Sequence, residues 1–176
     1  MHQLILLRHA KAEPERAGLT DHERALTGEG RQAASRIGQA MRKAGLAPEV
    51  VLVSPAQRTQ ATLAALEETP VWDEWPNIET MPQLYMATPS QILQSLRDLP
   101  ETVRSALVIG HNPGLHELAL LLADPARANA PIARIDEGFP TAALAELLVP
   151  GPWRQLRPGQ ASLTRFLLPA DVSDAR

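Results

Sequence analysis

The chain has no cysteine. That excludes disulfides, thiolate metal sites and a cysteine nucleophile together, and it suits a reducing compartment. A basic excess is also missing: the formal net charge is -3, with no polybasic run, so neither nucleic acid nor a membrane surface is an expected partner. No apolar stretch is long enough to cross a bilayer. Met1-His2-Gln3 leads directly into Leu4-Ile5-Leu6-Leu7, without the basic segment, longer apolar run and small-residue cleavage site of a secretory leader, so the expected location is the cytoplasm. Aromatic residues are only 3% of the chain, and Trp72, Trp75 and Trp153 read as packing residues, not as a base-stacking platform.

What is present is the composition of a globular protein, 44% hydrophobic and 21% charged. A length of 176 residues predicts a single domain over 1–176. Three segments share one pattern, a short apolar run followed by a polar residue and a helix-forming stretch. Leu4-Ile5-Leu6-Leu7 leads to Arg8-His9, Val50-Val51-Leu52-Val53 to Ser54-Pro55, and Ala106-Leu107-Val108-Ile109 to Gly110-His111-Asn112-Pro113. Continuous apolar runs are expected of strands covered on both faces, as in a parallel sheet.

Helices fill the intervals. Thr27 is placed to cap a helix over 28–43, with Ala33, Ile37, Ala40 and Met41 on one face and Gly45 as its stop. Ser54 before Pro55 reads as an N-cap, opening a helix that turns Thr59, Leu63 and Leu66 inward and ends near Thr69-Pro70. Further helices are expected over 89–99 and 114–123. The stretch 126–140, rich in alanine, proline and charge, reads as an ordered loop or lid. Strands over 143–149 and 162–168 follow, joined through Pro150-Gly151-Pro152 as an edge hairpin, and 171–176 is a polar tail. The fold class is α/β, a sandwich with a mostly parallel central sheet and an antiparallel edge.

In open α/β sheets ligands bind beyond the carboxyl ends of the strands. Here that rule selects Arg8, His9 and His111, with Ser54 ending the second strand and Arg58 on the first turns of its helix. Two guanidinium forks and two imidazoles offer many donors and almost no acceptors, which suits a phosphoryl dianion. Helix N-termini add N–H groups and a positive dipole end. A neutral histidine can attack phosphorus while the remaining donors stabilise the charge that spreads over the phosphoryl oxygens. This chemistry calls for no metal and no cofactor. His111 and His116 are five apart, not the four that puts two ligands on one helical face. Asn112, His116 and Thr141 are candidates for accessory positions in the pocket, while Lys11, His2 and His22 read as solvent-exposed.

Leu7-Arg8-His9-Ala10, Ser54-Pro55-Ala56-Gln57-Arg58-Thr59-Gln60-Ala61-Thr62 and Gly110-His111-Asn112-Pro113 resemble the signatures of the histidine phosphatase superfamily. Asp21-His22-Glu23-Arg24-Ala25-Leu26-Thr27 with Gly30 is similar to its early loop. Chain length and the Gly-His-Asn-Pro wording resemble the SixA-type phosphohistidine phosphatase branch. The resemblance implies a three-layer α/β/α sandwich of the phosphoglycerate mutase-like kind. It implies that His9 is phosphorylated, that Arg8, Arg58 and His111 bind the phosphoryl group with it, and that water then releases phosphate.

One departure stands out. Many members of the superfamily carry a general-acid carboxylate after a mid-chain strand, but here that stretch reads Met81-Pro82-Gln83-Leu84-Tyr85-Met86, and Glu79 lies upstream of it. An alkoxide leaving group needs an acid, whereas an imidazole, with a reference pKa of roughly 6.5, takes its proton from water. The expected substrate is therefore a phosphohistidine, carried on a histidine phosphotransfer protein. The alternatives are a phosphomonoesterase of small phosphorylated molecules, a mutase, and a module that binds phosphohistidine without hydrolysing it.

Overall fold

The computed structural model describes residues 1–68, 71–127 and 130–172. Its centre is a six-stranded sheet in the order β3-β2-β4-β1-β5-β6, formed by β1 (His2–Arg8), β2 (Val50–Val53), β3 (Asn77–Thr80), β4 (Ser105–Gly110), β5 (Leu144–Val149) and β6 (Ser162–Leu167). The first four strands run parallel, and β5 is antiparallel to both β1 and β6. Successive side chains of a strand face opposite sides. Leu4 and Leu6 accordingly enter one core and Ile5 and Leu7 the other, all of them wholly buried. This two-sided burial is what the unbroken apolar runs foretold.

On the Ile5/Leu7 face lie α1 (Gly28–Lys43) and α2 (Gln57–Glu67), which contribute Ile37, Met41, Leu63 and Leu66. On the Leu4/Leu6 face lie α3 (Pro89–Arg97), α4 (Gly114–Leu122) and α5 (Ala130–Asp136). The result is the expected three-layer sandwich. The Thr27 side chain accepts from the Gly30 amide to start α1, and Gly45, at φ 67, turns the chain so that the Leu46 amide returns to the Met41 carbonyl. Within α1, Ala34 and Gly38 are fully buried while Ala33 and Ala40 are half-buried. Thr88 and Gln91 form a capping box at the start of α3, with Pro89 next to the cap.

Several expectations are corrected. The segment 126–140 is not a plain loop: α5 lies within it and buries Ile135. Ala and Ile are compatible with a helix, and the prolines at its margins obscured one only seven residues long. Ser54 does not cap α2, which begins at Gln57 after Ala56. The proposed helix end at Thr69-Pro70 and the tail residues 173–176 lie outside the described residues, whereas Asp171 forms an ion pair with Arg134. β3 was not foreseen. It is an edge strand paired only with β2, so it needs no apolar run. His2 is buried, its Nδ1 donating to the Gly151 carbonyl, and His22 is half-buried against the Tyr85 ring. Trp72 and Trp153 are packed as expected, but Trp75 is exposed. No helix among the described residues is long and apolar enough to cross a membrane.

Candidate active site

Sheet register assembles the site. Arg8 pairs with Gly110 and Val53 with Ile109, so the chain leaves β1, β2 and β4 along one edge. The next residues are His9, Ser54 and His111. Their backbones stay tied after the strands end, His9 N–H donating to Gly110 O at 3.0 Å and Ser54 N–H to Ile109 O at 3.1 Å. The His9 and His111 rings stand 5.3 Å apart, both buried.

His9 Nδ1 lies 2.7 Å from the Ala10 carbonyl. A carbonyl only accepts, so Nδ1 bears the ring proton and Nε2 is left with the lone pair. The Ala10 amide in turn donates to Thr62 Oγ1 at 2.9 Å, which fastens this turn to α2. Burial, together with the nearby Arg58, Arg8 and Arg24 guanidiniums, lowers the His9 pKa to about 4 against the opposing pull of the Ala10 hydrogen bond. Burial and Arg58 lower that of His111 to about 3. Both rings are neutral at pH 7.

The arginines are held from outside the pocket. Arg8 Nη1 donates to the Phe139 carbonyl at 3.0 Å, and the same oxygen accepts from Asn112 Nδ2 at 2.7 Å. Arg58 gives both terminal nitrogens to Asp21, Nη1 to its carbonyl at 2.7 Å and Nη2 to Oδ2 at 3.0 Å. Asp21 also accepts from Arg24 Nη1 at 2.9 Å and from the Tyr85 hydroxyl at 2.5 Å. These bonds, that from Tyr85 foremost, hold its carboxyl well below the usual carboxylate range. Burial and the neighbouring Arg58 push the Arg8 guanidinium below its ordinary value, the sign of two cations kept close.

Three buried nitrogens in this cluster, Arg8 Nε, Arg58 Nε and His111 Nδ1, have no hydrogen-bond partner among the described residues. Unpaired buried donors are costly unless a ligand completes them. With neutral imidazoles, three guanidiniums face one carboxylate, leaving a net positive field suited to a dianion.

The sequence profile of the Histidine phosphatase superfamily (branch 1) matches residues 4–106. An uncharacterized protein of Mycobacterium tuberculosis is 35% identical over 167 residues, covering 93% of this chain and 99% of that one. A structure assigned as the phosphohistidine phosphatase SixA of Nakamurella multipartitia superposes with a TM-score of 0.79 at 28% identity, over 94% of this chain and 95% of that one. A second, assigned as SixA of Agrobacterium tumefaciens, gives 0.77 at 26%, over 94% and 97%.

The chain belongs to the histidine phosphatase superfamily. It falls in the SixA-type branch and is a hydrolytic phosphatase.

Within this histidine phosphatase the accessory candidates separate. Asn112 braces the Phe139 carbonyl that holds Arg8. His116 turns away to α5: its Nε2 donates to the Ile135 carbonyl at 2.7 Å, and its ring lies against Phe139. Thr141 is half-buried in the turn before β5, beside Ala142, whose amide donates to the carbonyls of Arg8 and His9 at 3.2 and 3.1 Å. Lys11 is exposed and paired with Glu29. Glu79 accepts from Asn77 on the exposed edge strand.

The strand-end rule missed Asp21, Arg24 and Tyr85. Asp21 meets Arg58 and Tyr85 only through tertiary folding; in the sequence its stretch stood out by resemblance to the superfamily's early loop and by the Asp-x-x-Arg spacing with Arg24. Tyr85, the single tyrosine of the chain, stands within the stretch where the superfamily's acid is expected. Its ring stands near-perpendicular to that of His111 with centroids 5.5 Å apart, and Arg58 lies 6.0 Å from its centroid. Met86 beside it is exposed, at φ 48, with Sδ 3.8 Å from Arg58 Nη2.

Proposed function

We propose that this phosphatase is a cytoplasmic enzyme that hydrolyses phosphohistidine on a protein partner, using His9 as its nucleophile. His9 Nε2 attacks phosphorus and the phosphorus–nitrogen bond of the substrate breaks. The departing imidazole keeps the electron pair and takes a proton from water. Arg8 Nε, Arg58 Nε and His111 Nδ1 donate to the phosphoryl oxygens as charge spreads over them. The ring proton of His9 stays on Nδ1, donated to the Ala10 carbonyl throughout. Water then attacks the phosphorylated His9, the new bond breaks, its electrons return to Nε2, and phosphate leaves. The guanidiniums supply the charge stabilisation, so no step uses a metal or cofactor.

One observation carries the choice of substrate. The carboxylate nearest the site, Asp21, is locked in its ionised form by Tyr85, Arg24 and Arg58 and has no proton to give. His116 and Glu79 are bonded elsewhere, to the Ile135 carbonyl and to Asn77. A positioned acid is worth roughly 10²–10⁴ in rate. Alkyl phosphates should lose that factor, and phosphohistidine, whose leaving group is protonated by water, should not.

The test is phosphate release from a phosphohistidine-bearing phosphotransfer protein beside a panel of alkyl phosphates, with and without chelator. The proposal expects kcat/KM on phosphohistidine to exceed that on alkyl phosphates by at least about 10², unaffected by chelator. Equal turnover of an alkyl phosphate would instead support a small-molecule phosphomonoesterase. Binding of phosphohistidine without release of phosphate would support a recognition module.

A further inference from the structure

Ser54 is wholly buried, and its hydroxyl has two hydrogen-bond contacts among the described residues: His111 Nε2 at 2.7 Å and the Ala56 amide at 3.4 Å. The amide can only donate. The one acceptor available to the hydroxyl proton is therefore the lone pair of His111 Nε2. A proton on Nε2 would set two donors against each other, or leave the buried hydroxyl hydrogen without a partner.

We infer that Ser54 donates to Nε2 and so fixes His111 as the Nδ1–H tautomer, presenting a donor to the phosphoryl group. This rests on the phosphoryl-transfer reading of the site and goes beyond it by assigning a role to Ser54. The neutral His111 has one ring proton to place. On Nδ1 it joins Arg8 Nε and Arg58 Nε as a third free donor. On Nε2 it would leave a lone pair facing an anion among cations, and His111 would oppose the binding it is placed to assist.

The two histidines thus adopt the same tautomer for opposite purposes. The Ala10 carbonyl accepts from His9 Nδ1–H, which leaves the Nε2 lone pair free for attack. The Ser54 hydroxyl occupies the Nε2 lone pair of His111 and frees its Nδ1 proton for donation. Ser54 acts through His111 and is a positioning residue.

The direct test is long-range proton–nitrogen correlation of ¹⁵N-labelled protein at neutral pH, with His111 signals assigned by their loss in His111→Gln. The expected pattern is a protonated Nδ1 and a bare Nε2. A dominant Nε2–H pattern overturns the inference, and the wild-type spectrum decides it whether or not Ser54→Ala folds. In Ser54→Ala, mixed tautomers and about tenfold weaker binding of inorganic phosphate are expected, with Ser54→Thr restoring both. An unchanged tautomer in folded Ser54→Ala also overturns it. Turnover enters neither arm. Failure of the phosphatase reading would show separately, as wild-type protein that releases no phosphate from phosphohistidine.

Discussion

Asp21 and Arg58, 37 residues apart, are joined twice: Arg58 donates from Nη1 to the Asp21 carbonyl and from Nη2 to its carboxylate. A buried guanidinium needs a counter-ion, and Asp21 supplies it from the pocket rim, where Tyr85 and Arg24 hold the carboxylate in place. The same negative charge repels an incoming phosphoryl group. Asp21 therefore organises Arg58 and tempers its attraction for anions.

Asp21→Asn separates these two effects. The amide can still accept from Arg58 and Tyr85 but removes the charge and releases Arg24. Inorganic phosphate should bind about tenfold more tightly, as expected for deleting a like charge a few ångströms away in a partly shielded site. Calorimetric titration measures this. Weaker binding would mean that holding Arg58 in place is the larger effect.

The histidines give the site its pH dependence. Both are lowered from 6.5, His9 to about 4 and His111 to about 3, chiefly by burial. The folded state thus binds fewer protons than the unfolded chain once pH falls below the unfolded value, and each ring subtracts stability between that value and its folded pKa. Above about pH 7 both are neutral in either state and contribute nothing to the slope. Imidazole resonances of His9 and His111 should stay fixed between about pH 8 and about pH 5. A midpoint near the ordinary histidine value would contradict this account of the pocket.

Gly30 tests the frame of the site. It lies inside α1, where alanine is ordinarily favoured over glycine by about 1 kcal/mol. A Cβ there would stand 2.9 Å from the Lys11 nitrogen and closer still to its carbonyl oxygen, which accepts from the Thr27 amide. Overpacking against backbone costs about 1–3 kcal/mol, so Gly30→Ala should lower thermal stability and, by shifting the turn after His9, reduce turnover. A variant as stable and active as the parent would show that this turn is freer than the contacts indicate.

Much of this architecture is readable from sequence because burial on both faces leaves a direct imprint. Ile5 and Leu7 serve one core while Leu4 and Leu6 serve the other, and no polar residue interrupts the run. Parallel register then converts three strand ends into one site, so Arg8, His9 and His111 could be named without coordinates. β3 left no such mark, since an edge strand with exposed Asn77, Glu79 and Thr80 needs only backbone pairing. Ser54 looked like a cap because the dipeptide with Pro55 is a common helix start, and only packing of β2 beside β4 shows its hydroxyl turned to His111. The Phe139 carbonyl that steadies Arg8 is a backbone group, invisible to any reading of side-chain types.

The central claim is that His9 Nε2 carries the phosphoryl group during turnover. Rapid quench under alkaline conditions, which preserve phosphohistidine, followed by mass spectrometry of the peptide containing residue 9, tests it directly. The account predicts a phosphorylated His9 that forms with phosphohistidine substrate, decays as phosphate appears, and is absent from His9→Ala. Phosphate release with no phosphoryl group on His9 at any time, or undiminished release by His9→Ala, would contradict it.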